Sequence, residues 1–241
     1  MDRYCRNVTF SGIGEEGQRR IEESSVAVVG LGALGGTIAT HLVRAGVGTL
    51  TVCEHDTIDV HNIQRQLLYT EPDVGRPKLH TAVEALGKMN SSVKIRAYDE
   101  FLDSNNAERI LGGADLVVDG TDRMGPRYVM NAFSVAHGVP YIYGGVLGGY
   151  GMTLSIVPPA TPCLACVFPP SERMDHLPTC ADVGIVNTVP AIIGSMQATE
   201  ALKVIVGGPH SKDLIIYDVW EQTFDKVPVK KRPGCPVCGS G

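Results

Sequence analysis

Two matched couples, Cys163-Leu164-Ala165-Cys166 and Cys235-Pro236-Val237-Cys238, carry the strongest chemical signal in the sequence. Two thiolates three residues apart can grip one face of a metal ion, and a second couple completes a tetrahedral shell. Cys163, Cys166, Cys235 and Cys238 therefore read as the ligands of one structural zinc. Nearly seventy residues separate the couples, so the ion would tie the last residues to the middle of the chain as a clamp, not as a small finger. The competing reading is two disulfides or two redox dithiols, but strain makes a bridge inside Cys-x-x-Cys a catalytic device more often than a structural one.

A second constellation begins at Gly30. The β-branched run Val26–Val29 reads as a buried strand, Thr37–Ala45 as a helix ended by Gly46-Val47-Gly48, and Leu50–Cys53 as a second strand that delivers Glu54. Between the first strand and the helix, Gly30, Gly32, Ala33 and Gly35 would present bare amides and a helix N-terminus to a phosphate. Glu54, about twenty positions on, has the place of an acid that holds a ribose hydroxyl. Alone, this loop favours a dinucleotide site in an oxidoreductase. The residues after Glu54 point elsewhere. Asp56 opens a polar loop through His61-Asn62-Ile63-Gln64-Arg65-Gln66, and Gly75-Arg76-Pro77-Lys78 sets a lysine beside a first-turn proline. Arg65 and Lys78 are two cations near the strand ends. A nicotinamide site has no need of them, whereas a triphosphate developing charge at its α- or β-phosphorus does. Either cation, taken singly, reads as an ordinary surface charge.

These residues need a scaffold. Further alternation continues in helix Pro77–Met89, strand Val93–Ala97, helix Ala107–Leu111, strand Leu116–Asp119 and helix Arg127–His137. It predicts an α/β fold with a Rossmann-like, doubly wound, mainly parallel sheet. Closely spaced strands at Tyr141–Gly145 and Gly151–Val157 would extend it in antiparallel fashion, and Leu214–Asp218 forms a later strand. In helix Pro190–Val206 the stripe Ile192, Met196, Thr199, Leu202 and Val206 reads as core packing, and Trp220 as packed over the sheet or an interface. Cys53 reads as core and Cys5 as a chance thiol. At 241 residues without a low-complexity linker, one domain spanning 1–241 is expected.

Composition narrows the classes. A hydrophobic content of 44% is ordinary, and the apolar runs are interrupted before membrane-spanning length. No membrane partner is expected. The opening residues lack a signal pattern, and seven cysteines, an odd number arranged for metal binding, fit a reducing cytoplasm. A net charge of −5 argues against a nucleic-acid surface, and the Lys226–Arg232 cluster reads as a solvated tail.

Across nearly its whole length the sequence resembles the ThiF/MoeB/HesA family, bacterial relatives of ubiquitin-activating enzymes. The resemblance lies in Arg3-Tyr4-Cys5-Arg6 with Gly17-Gln18, the glycine loop, Glu54-His55-Asp56, Asn62-Ile63-Gln64-Arg65-Gln66, Gly75-Arg76-Pro77-Lys78, Asp119-Gly120-Thr121-Asp122, both cysteine couples and Thr179-Cys180, and in their order along the chain. It implies binding of ATP with magnesium and adenylation of the C-terminal glycine of a small ubiquitin-fold carrier protein ending in Gly-Gly. The activated acyl group is then converted to a thiocarboxylate for thiamin, molybdopterin or related sulfur chemistry. Carried over by position, Glu54 would hold the ribose and Asn62, Arg65 and Lys78 the phosphates, with Asp56 and Gln64 in the same nucleotide-binding set. Asp122 would hold magnesium, and Arg6 would reach into a partner subunit's site. The short polar Arg3–Arg6 segment ahead of the first helix suits that role, so a symmetric homodimer with two shared sites is expected.

The chemistry asks for these residue types. A carboxylate attacking the α-phosphorus needs charge screened, which Arg65, Lys78 and a magnesium on Asp122 can do together. No general base is needed, because a carboxylate is already ionised at neutral pH. Cys180 comes after a loop rich in helix breakers and charge, where a thiol is exposed enough to react. The resemblance implies that it can link to the carrier as a thioester or an acyl persulfide, although adenylation should not depend on it. A free cysteine without function is the plain alternative, and His176 is left without a role.

Two departures stand out: Glu54 replaces the more usual aspartate, and Arg123 the usual asparagine after Asp122. No room lies between Cys166 and Cys180 for a large catalytic-cysteine domain. None for sulfur transfer comes after Cys238, so sulfur is expected from a separate cysteine desulfurase or sulfurtransferase. Other readings are adenylation of a small-molecule or tRNA-borne carboxylate, and a catalytically silent, zinc-braced carrier-binding scaffold. Intact Arg65, Lys78 and Asp122 speak against silence, and an oxidoreductase would leave them and the cysteine couples unexplained.

Overall fold

A computed structural model of the chain describes residues 3–171 and 179–239. One eight-stranded sheet runs in the order β3-β2-β1-β4-β5-β6-β7-β8. Its parallel part consists of β1 (Ser25–Val29), β2 (Thr49–Cys53), β3 (Lys94–Tyr98), β4 (Leu116–Asp119) and β5 (Tyr141–Leu147). β6 (Tyr150–Ile156), β7 (Leu214–Asp218) and β8 (Thr223–Val227) continue it antiparallel. The winding reverses between β1 and β4, which leaves a crevice beyond their carboxyl ends, the place where open α/β sheets bind ligands.

Alternation along the strands divides the interior in two. Val26, Val28, Leu50, Val52, Leu116 and Val118 face α2 (Gly14–Glu23), α3 (Ala33–Ala45), α4 (Lys78–Met89) and α9 (Thr188–Val206). Ala27, Val29, Val117, Tyr141, Tyr143 and Leu154 face the other way, toward α5 (Ala107–Leu111), α6 (Met124–His137), α7 (Leu164–Val167) and the cysteine couples. Strands covered on both faces carry nearly continuous apolar runs, which is why β1, β2 and β4 are legible as strands. Among the described residues two short α-helices remain, α1 (Cys5–Thr9) and α8 (Cys180–Val183).

The expected doubly wound sheet with antiparallel extension is present, and three local expectations need correction. Lys226, expected in a solvated tail, belongs to β8 and pairs with Ile215; all five residues of that strand are exposed, so no alternation marked it. Trp220 lies 72% exposed at the β7–β8 turn and does not cover the sheet, so of its two expected placements the one over the sheet is corrected. On α9, Val189, Ile193, Gln197 and Ala201 are buried; of the expected stripe, Met196, Leu202 and Val206 pack half-buried against the core, whereas Ile192 and Thr199, with Met196, line an open cavity of about 750 Å³ beside Ile215 and Phe224. By length and apolar content α9 could cross a bilayer, but Gln197 donates to Asp119 O and Ser155 donates to the Glu200 carboxylate, which tie it into the interior. Cys53 is core as expected, 2% exposed, its thiol donating to Glu100 O. His176 and most of the loop before Cys180 lie outside the described residues.

Close packing fixes where α3 meets the sheet. A Cβ on Gly35 would stand 1.8 Å from Gly30 O, so the first turn of α3 can approach the end of β1 only without a side chain. Gly35→Ala should lower unfolding free energy by at least ~2 kcal/mol through overpacking. Gly87→Ala, at an open position on α4 where the new Cβ meets nothing within 4 Å, should raise it by about 1 kcal/mol. Chemical denaturation of both variants checks the pair, and equal effects would contradict close packing at Gly35.

Candidate functional site

The crevice beyond β1 and β4 is built from three chain exits. β1 leads to Gly30, which has φ +82° and donates its N–H to Cys53 O at 2.8 Å. Its bare α-carbon lies against Gly120, the first residue after β4; a Cβ there would sit 2.8 Å from Gly120 O. Gly32 caps α3, with Ala33 opening the helix, so backbone donors and the positive end of a 13-residue helix face the crevice. Glu54, just past β2, accepts from Leu31 N at 2.8 Å and from His55 N and Asp56 N at 2.7 and 2.9 Å. The acid expected at the ribose thus stands across the glycine loop.

Both predicted cations belong to this end of the sheet. Lys78 opens α4 and is 5% exposed, with Nζ 3.1 Å from Asp56 Oδ2, and its N–H donates to Asp56 O at 2.9 Å. Arg65 is half-buried and donates to His61 O at 2.9 Å. Asn62 is buried and has a structural task already: its Oδ1 accepts from Asp59 N at 3.0 Å and closes a 3₁₀ turn, Val60–Asn62. Gln64 of the predicted set is exposed.

Two residues outside the predicted set belong here. Gln66 is 5% exposed and lies beside Gly32, with Oε1 buried and lacking a hydrogen-bond partner. Such an orphaned acceptor asks for a donor the chain itself does not provide. Arg127, read in the sequence only as the first residue of a helix, lies in the first turn of α6 and donates to Asp119 Oδ2, Thr121 O and Gly144 O at 2.9, 2.7 and 2.9 Å. Asp119 is fully buried; burial raises its carboxyl, opposed by Arg127 and by Thr121, which donates from N and Oγ1 at 2.8 and 2.7 Å. Held from both sides, this loop presents exposed Asp122 and Arg123 at its tip. Asp119 is legible only as the end of a strand and the start of the Asp119-Gly120-Thr121-Asp122 motif; Arg127 gives no signal, because an arginine near a helix start usually reads as solvated.

Cys180 also joins this group. It is half-buried, its Sγ 3.7 Å from Val146 O. Burial raises its thiol, Arg65 and Arg127 pull it down, and Asp122 pushes it up. The expected freely reactive thiol is therefore a partly sheltered one. Arg6 is not brought in. It is exposed on α1, which is fastened at the opposite end of α3: Asn7 donates to Gln18 Oε1 and Gln18 to Ala45 O, at 3.2 and 3.0 Å. A 13-residue helix separates the two ends by about 20 Å.

The four cysteines of the two couples meet at one point. Their sulfurs all lie within 4.8 Å of one another, with Cys163–Cys235 at 3.6 Å and Cys166–Cys238 at 3.3 Å. Four sulfurs ~2.3 Å from a tetrahedral ion stand roughly 3.8 Å apart. The spacing suits a metal, and at more than about 3 Å no pair is a disulfide. Burial pushes Cys163 up to about 12, with Asn131 among the groups working against it; at Cys235 burial is outweighed by the N–H groups of Cys238 and Val237, which bring that thiol down to about 6.

Comparison with known proteins places this geometry. Residues 4–237 match the ThiF family. The chain is 40% identical to the sulfur carrier protein adenylyltransferase of Thermus thermophilus, over 99% of this chain and 91% of that protein. It is 34% identical to the molybdopterin-synthase adenylyltransferase of Escherichia coli, over 99% and 96%. Among solved structures, E. coli MccB superposes with a TM-score of 0.87 at 22% identity, over 99% of this chain and 74% of that one, a likeness of fold alone. The chain belongs to the ThiF family.

Proposed function

We propose that this protein adenylates the C-terminal glycine of a ubiquitin-fold sulfur carrier ending in Gly-Gly, with ATP bound in the crevice between β1 and β4. The observation that carries the reading is buried Lys78, paired with Asp56 at the open end of the sheet, with the glycine cradle and the unpartnered Gln66 Oε1 at the same end. A buried ammonium next to backbone donors suits polyphosphate and has no use in hydride transfer. Names of the Thermus and E. coli relatives support the carrier as substrate.

In this reading Gly30, Gly32, Ala33 and Gly35 cradle phosphate, Glu54 turns to the ribose, and Asp56, Asn62 and Gln64 border the same pocket. Arg65 and Lys78 neutralise charge as a carrier carboxylate oxygen bonds to the α-phosphorus and the bond to pyrophosphate breaks. Magnesium, held by Asp122, would supply further charge screening. The four cysteines hold zinc and fasten the end of the chain to α7 and α6. Cys180, which feels the charges of Arg65 and Asp122, would receive the acyl group after adenylation. A separate sulfur donor completes the sequence.

Magnesium-dependent exchange of pyrophosphate into ATP, requiring a carrier with a free terminal glycine, tests the reading. Arg65→Ala and Lys78→Ala should each lower the exchange rate by about 100-fold or more, whereas Cys180→Ser should keep it and lose any thiol-displaceable carrier adduct. Unaltered exchange in both cation variants would remove the basis of the proposal.

Arg6 can serve such a site only from a second subunit, since in its own subunit it stands at the wrong end of α3. Arg6→Ala protein and Lys78→Ala protein should each be inactive, and mixing them should restore up to about half activity per heterodimer, because one site then carries both lesions and the other neither. Heterodimers confirmed by mass spectrometry without restored activity would contradict the shared site.

A further inference from the structure

One face of α6 touches both ends of the molecule's chemistry. Arg127 and Asn131, four residues apart, project from the same side of the helix. Arg127 fixes the Asp119–Asp122 loop through Asp119 and Thr121. Asn131, 0% exposed, accepts from Leu164 N through Oδ1 at 2.7 Å, and Leu164 comes directly after the metal ligand Cys163 and opens the turn that carries Cys166. Its Nδ2 is buried and has no conventional hydrogen-bond partner. Tyr128, next to Arg127, donates to Phe168 O at 3.1 Å just past the same turn. Four thiolates on a divalent ion leave an anionic centre in the interior, and such a centre is retained by N–H donors to sulfur. Arg232 N, 3.4 Å from Cys166 Sγ, is one such donor to the same couple, supplied by the chain just ahead of Cys235.

We propose that Asn131 is a positioning residue which donates from Nδ2 to the metal-bound Cys163 thiolate, and that α6 thereby couples metal retention to nucleotide binding. Ordering of the Asp122 loop by nucleotide holds Arg127 and the start of α6; the same helix holds Asn131 against the cysteine turn. Coupling of this kind is reciprocal in affinity, so nucleotide must tighten metal binding by the factor by which metal strengthens nucleotide binding, and slower metal release is the form in which that tightening is read. The coupling half rests on the adenylyltransferase reading, whereas the Asn131 donor does not.

The test is the rate of zinc release from the loaded full-length protein to a chromogenic chelator, with and without MgATP, for the natural protein, Asn131→Asp and Asn131→Ser. Asn131→Asp keeps an acceptor for Leu164 N but sets an anion toward the thiolates, and it should release zinc about 10-fold faster. Asn131→Ser, smaller and neutral, should also release faster and serves if the buried carboxylate prevents folding. MgATP should slow release from the natural protein by at least about 5-fold and leave both variants nearly unchanged. Equal release without nucleotide in all three proteins would overturn the donor role, and an equal MgATP effect in all three would overturn coupling through Asn131. Equilibrium dialysis showing no ATP binding would sink the nucleotide reading and the coupling with it, while the nucleotide-free rates would still decide the donor.

Discussion

Three backbones meet without side chains where Gly30, Gly35 and Gly120 touch, and the working end of the molecule depends on that contact. A Cβ on Gly120 would lie 2.5 Å from Gly30 O and 2.6 Å from the Gly35 α-carbon, so the exits of β1 and β4 and the first turn of α3 occupy a space that only hydrogen can share. The approach aims the N-terminus of α3 into the crevice and fixes the level at which the Asp119–Asp122 loop leaves the sheet. Arg127 then locks that loop from below, with a buried ion pair and two carbonyls as acceptors. Breaking a buried pair of this kind by removing one partner typically costs several kcal/mol, because the other charge is left uncompensated. Its value here is geometric: an exposed carboxylate at position 122 is carried on a stem fastened through Asp119 and Thr121.

Much of this is readable in the sequence because parallel strands covered on both faces have to be apolar throughout, and because glycines before a helix have few other uses. Val26–Val29, the loop to Gly35, and Leu50–Cys53 with Glu54 after it stand where the pattern placed them. The two cysteine couples converge as their spacing required. What escaped has physical reasons. β8 has no buried face and so no alternation. The apolar residues of α9 surround the helix, so a three- and four-residue stripe chosen on one side picks half-buried residues, Ile192 and Met196 beside the cavity and Leu202 and Val206 against the core, in place of the buried Ile193 and Gln197. Gln66, Arg127 and Asn131 act through burial and partners distant in sequence, which no local spacing reveals. Asn62 shows the converse, since a residue expected at phosphate also closes the turn that presents its neighbour Arg65.

The placement of Arg6 is the feature that most constrains how such a site can be completed. Its helix is tied through Gln18 to the C-terminal end of α3, while the cradle lies at the N-terminal end. In the proposed reading, charge at the α-phosphorus beyond what Arg65 and Lys78 would neutralise is expected from a metal ion or from Arg6 of a second copy of the chain. Cys180 has the opposite position, close to Arg65 and Asp122 but sheltered, with a thiol raised by burial.

The central claim is that a carrier carboxylate, and not water or a hydride donor, reacts in the crevice. Its most direct test is to label the terminal carboxylate of a Gly-Gly carrier with heavy oxygen, add MgATP and trap the acyl group with hydroxylamine. The expected products are pyrophosphate and AMP carrying one labelled oxygen, with the label absent from AMP when Lys78 is replaced by alanine. Formation of ADP with labelled phosphate, or of unlabelled AMP at the same rate without carrier, would contradict it.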